Sequence, residues 1–311
     1  MTVAWHSSLV GSIPSPSFRD LTIGPLSFRL YGLMIALGAL AGVWIARRRY
    51  GAYGGDPEDV TTVALVAVPA GLIGARLYHV ITDWSDLYSG GRWFPDAFMV
   101  WKGGLGIPGG ILAGVVAGIV TCRVIKIDWR LAADAAAPAL PVAQAIGRLG
   151  NWFNQEVFGR PTDLPWGLEI DPQYRPDRYI DSSTFHPTFL YEALWNLALV
   201  AVLIWLDRKG VVRRGRLFAV YILGYGVGRF WVESLRSDAA SLILGVRVNL
   251  WVSGLLVFGG LGWLLWPSGA DEVGGLDDGL DGGAGAPDDV VDGDDPDGVD
   301  GGGLGDGVEV E

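Results

Sequence analysis

Seven mostly apolar stretches, each about 20 residues long, constrain this chain more than any other feature, because that length lets a helix cross the hydrocarbon of a bilayer. The composition agrees, since 50% of the 311 residues are hydrophobic and only 18% are charged. Soluble domains carry about a quarter charged residues. The sequence therefore predicts an all-α integral membrane protein with seven transmembrane helices. We place them at residues 27–46, 59–81, 104–122, 131–152, 187–206, 216–235 and 247–266.

The basic residues of three short loops predict the orientation in the membrane. Loops rich in arginine and lysine remain on the cytoplasmic side. The loops after the first, third and fifth stretches carry compact basic clusters, whereas acidic residues dilute the basic residues of the other side. We therefore expect the N-terminus outside and the C-terminus in the cytoplasm. The clusters are Arg47, Arg48 and Arg49, then Arg123, Lys126 and Arg130, and then Arg208, Lys209, Arg213, Arg214 and Arg216.

The chain ends in a strongly acidic segment of different composition. Residues 267–311 hold 15 acidic side chains and no lysine or arginine, which leaves 19 acidic against 23 basic residues in the rest. The segment has no aromatic residue and cannot bury enough surface to offset chain entropy. We predict two parts, a seven-helix transmembrane domain over residues 1–266 and a disordered acidic cytoplasmic tail over residues 267–311. Cys122 is the single cysteine, so an internal disulfide is excluded.

Arginines lie inside three of the apolar stretches. Arg76, Arg148 and Arg229 each cost several kcal/mol or more in hydrocarbon unless they are paired, hydrated or near a helix end, so each marks a candidate site. By helix rise, all three lie in the outer half of the membrane. Arg229 also lies one turn from Tyr225 and from Glu233 on one helix face. Snorkelling of Arg76 to the surface and a purely structural Arg229–Glu233 pair remain open alternatives.

The densest group of polar residues closes the fourth stretch. The run from Gly147 to Arg160 contains Arg148, Asn151, Asn154 and Glu156, and its glycines allow a ligand or another helix to come close. An arginine offers a planar fork that suits phosphate. The sequence thus indicates a cationic polar pocket near the outer face that fits an anionic, phosphate-bearing lipid. Other polar residues at this level are Tyr31, His79 and His186.

Five motifs together resemble those of the bacterial prolipoprotein diacylglyceryl transferases, over about residues 20 to 265. The longest is Gly147-Arg148-x-Gly150-Asn151-x-x-Asn154-x-Glu156-x-x-Gly159. The resemblance implies seven transmembrane helices with the N-terminus outside, in the bacterial inner (plasma) membrane, and an active site toward the outer leaflet. The other motifs are Arg29-Leu30-Tyr31-Gly32-Leu33, Gly74-Ala75-Arg76-Leu77-Tyr78, His186-Pro187-Thr188-Phe189-Leu190-Tyr191-Glu192 and Tyr225-Gly226-Val227-Gly228-Arg229-Phe230-x-x-Glu233.

The resemblance also implies a reaction and its partners. Members of the family transfer the diacylglyceryl group of phosphatidylglycerol to the lipobox cysteine thiol of a preprolipoprotein, which forms a thioether and releases glycerol 1-phosphate. It implies no metal and no cofactor. On this reading Arg148, Glu156, Arg229, Glu233 and Tyr31 are catalytic. The residues expected to bind phosphatidylglycerol are Arg148, Asn151, Asn154, Gly159, Tyr225, Arg229, Arg76 and His186.

One position departs from the pattern. Many family members have a histidine before the Gly-Gly pair that here is Gly109-Gly110, and this chain has Pro108. Members of the actinobacterial type, which this chain resembles in its long acidic tail, also lack it. A free thiol is already a few per cent thiolate at neutral pH, so a strong base is not essential. The sequence leaves one alternative function, a lipid-binding protein or transporter for an anionic phospholipid.

Overall fold

The computed structural model describes residues 11–84, 99, 104–237 and 242–266, and this part of the chain is mostly helical. Five of its helices are long and apolar enough to cross a membrane, namely α1, α2, α3, α6 and α8. This confirms the predicted class, an α-helical membrane protein. The helices are α1 (Leu30–Ala52), α2 (Pro57–Thr82), α3 (Ile107–Val124), α4 (Trp129–Ala136), α5 (Ala139–Asn154), α6 (Thr188–Arg208), α7 (Leu217–Leu235) and α8 (Val248–Leu265).

The stretch predicted as one helix over 131–152 is two helices. Helix α4 ends at Ala136 and α5 begins at Ala139, with Pro138 between them. Proline lacks the amide hydrogen that an unbroken helix needs and clashes with the preceding turn, which explains the break. The first helix also begins later than predicted, at Leu30, because Leu26–Arg29 pairs as a strand instead.

The described residues also form three short antiparallel hairpins, one before α1 and two between helices, although the sequence predicted helices alone. They are β1 (Asp20–Ile23) with β2 (Leu26–Arg29), β3 (Leu168–Glu169) with β4 (Thr184–Phe185), and β5 (Leu242–Ile243) with β6 (Val246–Arg247). The second hairpin belongs to residues 155–186, which we call the head. Leu168, Ile170 and Phe185 form the buried core of the head, and Ile13 pairs with Leu168 beside it.

Small residues let the long helices approach one another closely. A Cβ at Gly38 of α1 would lie 2.7 Å from the carbonyl oxygen of Ala143 on α5. A Cβ at Gly74 of α2 would lie 2.5 Å from the carbonyl oxygen of Gly109 on α3. Such contacts are the usual packing mode of helices in membranes, where apolar side chains gain little from leaving lipid. Large apolar side chains instead remain exposed, as at Leu65 and Phe258.

The helix ends farthest from the head are held by buried polar contacts. The Asp134 carboxylate of α4 accepts hydrogen bonds from the backbone N–H groups of Gly215 and Phe218, the second at 3.0 Å. Arg49 of α1 pairs with Asp207 of α6 at 3.0 Å. The first contact ties α4 to the start of α7, and the second ties α1 to α6. The predicted tail, residues 267–311, lies outside the described residues.

Candidate active site

The site is built at the end of α5 that leads into the head. The helix stops at Asn154 because Gln155 adopts a left-handed conformation, with φ of 51°. The Gln155 side chain is buried and exchanges two hydrogen bonds with Asp171 of the head, at 2.8 and 2.9 Å. These two hydrogen bonds fix the direction of the backbone after the helix, and with it the position of Glu156.

The predicted polar run forms a connected network. The amide groups of Asn151 and Asn154 both donate to Oε1 of Glu156, at 2.9 and 3.2 Å. Nη1 of Arg148 donates to Oδ1 of Asn151 at 3.3 Å. Glu156 therefore reaches Arg148 through Asn151.

Glu192 joins the two arginines that the sequence placed on separate helices. It lies in the first turns of α6, and one carboxylate oxygen contacts Nε of Arg148 on α5. The other oxygen accepts from Nη1 of Arg229 on α7. The Glu192 side chain is 8% exposed, and those of Arg148 and Arg229 are 23% and 14% exposed. Two cations from separate helices thus lie on one carboxylate in a sheltered place.

Glu233 extends this chain of ion pairs and is fully buried. It pairs with Nη2 of Arg229 at 2.9 Å, and its other oxygen accepts from Nε of Arg247 at 2.6 Å. Arg236 lies 3.7 Å from the same carboxylate. Among the described residues, these ion pairs join four arginines to two glutamates, so basic side chains outnumber acidic ones in the network. A group of this kind attracts an anion that approaches from the head end.

The two predicted tyrosines flank the network. Tyr31, in the first turn of α1, lies against Gly150, where a Cβ would be 2.8 Å from its ring. Tyr225 lies one helical turn before Arg229 on α7, and its ring is 6.0 Å from that of Tyr221. The structure therefore brings both to the helices that carry the arginines. Their catalytic and binding roles remain predictions.

Arg76 belongs to a different group of side chains. On α2 it donates to the carbonyl oxygen of Gly104 at 3.0 Å. One turn further, Nδ1 of His79 lies 2.7 Å from Asp83. Gly104 has a φ of +77°, and a Cβ there would overlap the His79 ring. The predicted role of Arg76 in lipid binding thus stays a prediction about a second polar group near the start of α3.

Gly159 and His186 meet at the base of the head. The Gly159 N–H donates to the His186 carbonyl at 2.9 Å. A Cβ at Gly159 would lie 2.7 Å from the His186 Cβ, so this glycine is needed for packing whatever it binds. Nδ1 of His186 is 3.2 Å from the Tyr191 hydroxyl. Burial, with a smaller effect of the Arg160 charge, lowers the pKa of His186, which favours the neutral ring.

Sequence reasoning did not assign Glu192 or Arg247 to the site. Glu192 appeared only as the last residue of a motif, with no role assigned to it. The available signal was a carboxylate inside an apolar stretch, at the same membrane depth as Arg148 and Arg229, since buried charges need partners. Arg247 begins the last stretch, where it resembles an ordinary flanking charge.

The described residues contain no group of three or more His, Cys, Asp or Glu side chains placed to hold a metal ion. Cys122 is buried near the end of α3, and no contact described above connects it with the arginine network.

Fold and site together define a helical membrane protein with a cationic polar centre between α5, α6 and α7, beside the head. Residues 20–266 match the family model described as prolipoprotein diacylglyceryl transferase. This chain belongs to that family, as the motifs indicated.

Curated relatives are similar in sequence to this chain along most of their length. A Streptomyces coelicolor protein named phosphatidylglycerol–prolipoprotein diacylglyceryl transferase 2 is 49% identical over 254 residues, which is 81% of this chain and 80% of that protein. Proteins named phosphatidylglycerol–prolipoprotein diacylglyceryl transferase from Cutibacterium acnes and Rhodococcus jostii are 49% and 48% identical. The two alignments cover 80% and 78% of this chain, and 84% and 71% of the respective relatives.

Proposed function

We propose that this chain transfers the diacylglyceryl group of phosphatidylglycerol to the lipobox cysteine of preprolipoproteins. The observation that carries the proposal is the pairing of Arg148 and Arg229 on Glu192 in a sheltered site with excess positive charge. Relatives that share about half of the sequence are named for this reaction.

The reaction exchanges one bond at the glyceryl carbon that bears the phosphate. The cysteine sulfur forms a bond to that carbon, and the carbon–oxygen bond to phosphate breaks. The products are a thioether and glycerol 1-phosphate, which leaves with the electron pair of the broken bond. The proton of the thiol goes to water or to a carboxylate of the site.

Negative charge grows on the phosphate oxygen as that bond breaks. Groups that stabilise this charge more in the transition state than in the ground state accelerate the reaction. Arg148 engages the network through Nε and Nη1, which leaves Nη2 for the phosphate. Arg229 is oriented by Glu192 and Glu233. Asn151, Asn154 and Glu156 hold the wall of the site beside Arg148.

The proposal includes the placement of the protein in the membrane. We infer seven membrane-crossing segments by adding the α4–α5 pair and α7 to the five long apolar helices. The N-terminus lies outside, the C-terminus lies in the cytoplasm, and the site opens to the outer leaflet of the bacterial plasma membrane. The basic residues in the last turns of α1, α3 and α6, and in the segments that follow α3 and α6, support this orientation.

The test is a transfer assay with purified protein in detergent. Phosphatidylglycerol and a lipobox peptide are the substrates, and both glycerol 1-phosphate release and peptide mass are followed. We expect the diacylglyceryl mass on a cysteine peptide and none on its serine counterpart. If the protein binds phosphatidylglycerol and yields no product with either peptide, the proposal is wrong and the lipid-binding or transport alternative is favoured.

A further inference from the structure

A second polar pair links α5 and α7 deeper in the bundle than the arginines. Nε2 of Gln144 on α5 donates to the Tyr221 hydroxyl on α7 at 2.9 Å. Tyr221 is 7% exposed. Oε1 of Gln144 is buried and has no hydrogen-bond partner among the described residues. A buried acceptor left unpaired is costly, so a pair of this kind calls for a partner.

Helix geometry places this pair directly beneath the arginine network. Gln144 precedes Arg148 by one turn on the same face of α5, which is about 6 Å along the axis. Tyr221 precedes Tyr225 by one turn and Arg229 by two turns on α7. Both helices end beside the head, so Gln144 and Tyr221 lie on the side of the arginines that points away from it.

The pair has hydrogen-bonding capacity that the protein does not use. Because Gln144 donates to the Tyr221 oxygen, the hydroxyl hydrogen of Tyr221 is left for an acceptor. A half-turn of the amide gives the alternative, in which Oε1 accepts from Tyr221 and Nε2 faces outward. In both arrangements the pair presents a donor, and the second arrangement also satisfies Oε1.

Space for a ligand lies beside the pair. Gly147 follows Gln144 by three residues and is therefore on a neighbouring part of the same helix face. Apart from its chain neighbours and the adjacent backbone of α5, no described atom lies within 4 Å of the position that a Cβ would take at Gly147. A ligand that extends along α5 from Arg148 toward Gln144 would pass over this glycine.

We propose that Gln144 and Tyr221 bind an ester carbonyl of the diacylglyceryl group, and so make the enzyme prefer ester-linked over ether-linked glycerophospholipids. This inference rests on the proposed function. When phosphate lies on Arg148 and Arg229, the groups one turn further from the head are the glycerol backbone and its esters, because the acyl chains point toward the middle of the bilayer. Ester carbonyls accept hydrogen bonds, and the corresponding ether oxygens are weaker acceptors at a different position.

The test compares diacyl and dialkyl phosphatidylglycerol with the same chain lengths. Transfer to a cysteine lipobox peptide is measured as kcat/KM for the wild type, Gln144→Leu, Tyr221→Phe and the control Thr121→Val. Among the described residues, the Thr121 hydroxyl hydrogen-bonds only to the Ala117 carbonyl of the same helix, near the C-terminal end of α3. The contribution of one hydrogen bond to the ester carbonyl predicts that the wild type uses the diacyl lipid roughly threefold to tenfold better than the dialkyl lipid.

The two site variants should lose that preference through slower use of the diacyl lipid, while Thr121→Val keeps it. Any intrinsic difference in reactivity between the lipids is shared by all four proteins and cancels in this comparison. Site variants with the same ratio of diacyl to dialkyl use as the wild type, whatever that ratio is, would overturn the inference. No transfer from either lipid by the wild type would instead contradict the proposed function itself.

Discussion

Glu192 is the shared partner of Arg148 and Arg229, with one carboxylate oxygen on each guanidinium. The three side chains come from three different helices and are mostly buried. Glu192 therefore sets the separation of the two cations before any lipid binds. In the proposed reaction it is a positioning residue, since the arginines are the groups that contact phosphate.

The change Glu192→Gln should reduce both stability and activity. It removes the charge that compensates two buried arginines, and breaking such a pair typically costs about 3–5 kcal/mol. We expect a clear drop in the thermal midpoint in detergent and at least a roughly tenfold loss in transfer rate, since small displacements of charged groups are costly in catalysis. The control is Glu58→Gln, whose 65%-exposed side chain pairs with Arg47 and should matter little. Equal behaviour of the two variants would contradict the role of Glu192.

Arg247 should act on the site through Glu233. Because Arg247 and Arg229 lie on opposite oxygens of that carboxylate, Arg247→Gln should lower the transfer rate by shifting Glu233. In a Glu233→Gln background the same change should have little further effect. A double-mutant cycle measures this coupling, which for contacting charges is about 0.5–3 kcal/mol. Fully additive effects would show that Arg247 acts elsewhere.

Gly159→Ala should destabilise the protein. The added methyl would lie 2.7 Å from the His186 Cβ and 2.9 Å from the Leu235 carbonyl oxygen, and the second of these is backbone that cannot move aside. Gly254→Ala is the matched control, because nothing lies within 4 Å of its Cβ position. We expect the thermal midpoint to be lower in Gly159→Ala and unchanged in Gly254→Ala. A Gly159→Ala protein with normal stability and reduced lipid affinity would instead favour the predicted binding role.

His186 should make stability depend on pH. Its pKa is lowered in the folded protein, so as the pH falls the unfolded chain takes up the proton first, from about pH 6.5. The stability contributed by the neutral ring is thus present above that pH and is lost below it. We expect the thermal midpoint to fall between about pH 7.5 and about pH 5.5, and less steeply in His186→Gln. Identical slopes in both proteins would contradict this reading.

The sequence predicted much of the site because charge in an apolar stretch is conspicuous. Arg148, Arg229 and Glu233 stood out for that reason, and the structure places them in one network. Gln144 and Tyr221 did not, since neither carries a charge and both resemble ordinary residues of a membrane helix. Their pairing depends on how α5 and α7 face each other, which periodicity within one helix does not reveal.

The fold was predictable in class and less so in detail. Length and hydropathy located the long helices to within a few residues, but they read through Pro138 and joined α4 to α5. The β1–β2 hairpin was missed even though Leu21, Ile23, Leu26 and Phe28 alternate with polar residues. Apolar residues just before a predicted membrane helix were simply added to it, which is why that helix was predicted to start at residue 27.

The most direct test of the central claim is the single-turnover transfer rate of arginine variants. Arg148→Lys and Arg229→Lys keep the charge and lose the planar fork, whereas Arg148→Ala and Arg229→Ala lose both. Arg208→Ala, at the end of α6 that lies on the cytoplasmic side in the proposed topology, is the control. We predict losses of at least about 100-fold for the alanine variants in protein that remains folded, smaller losses for the lysine variants, and a normal rate for the control. Rates near wild type in both alanine variants would contradict the account.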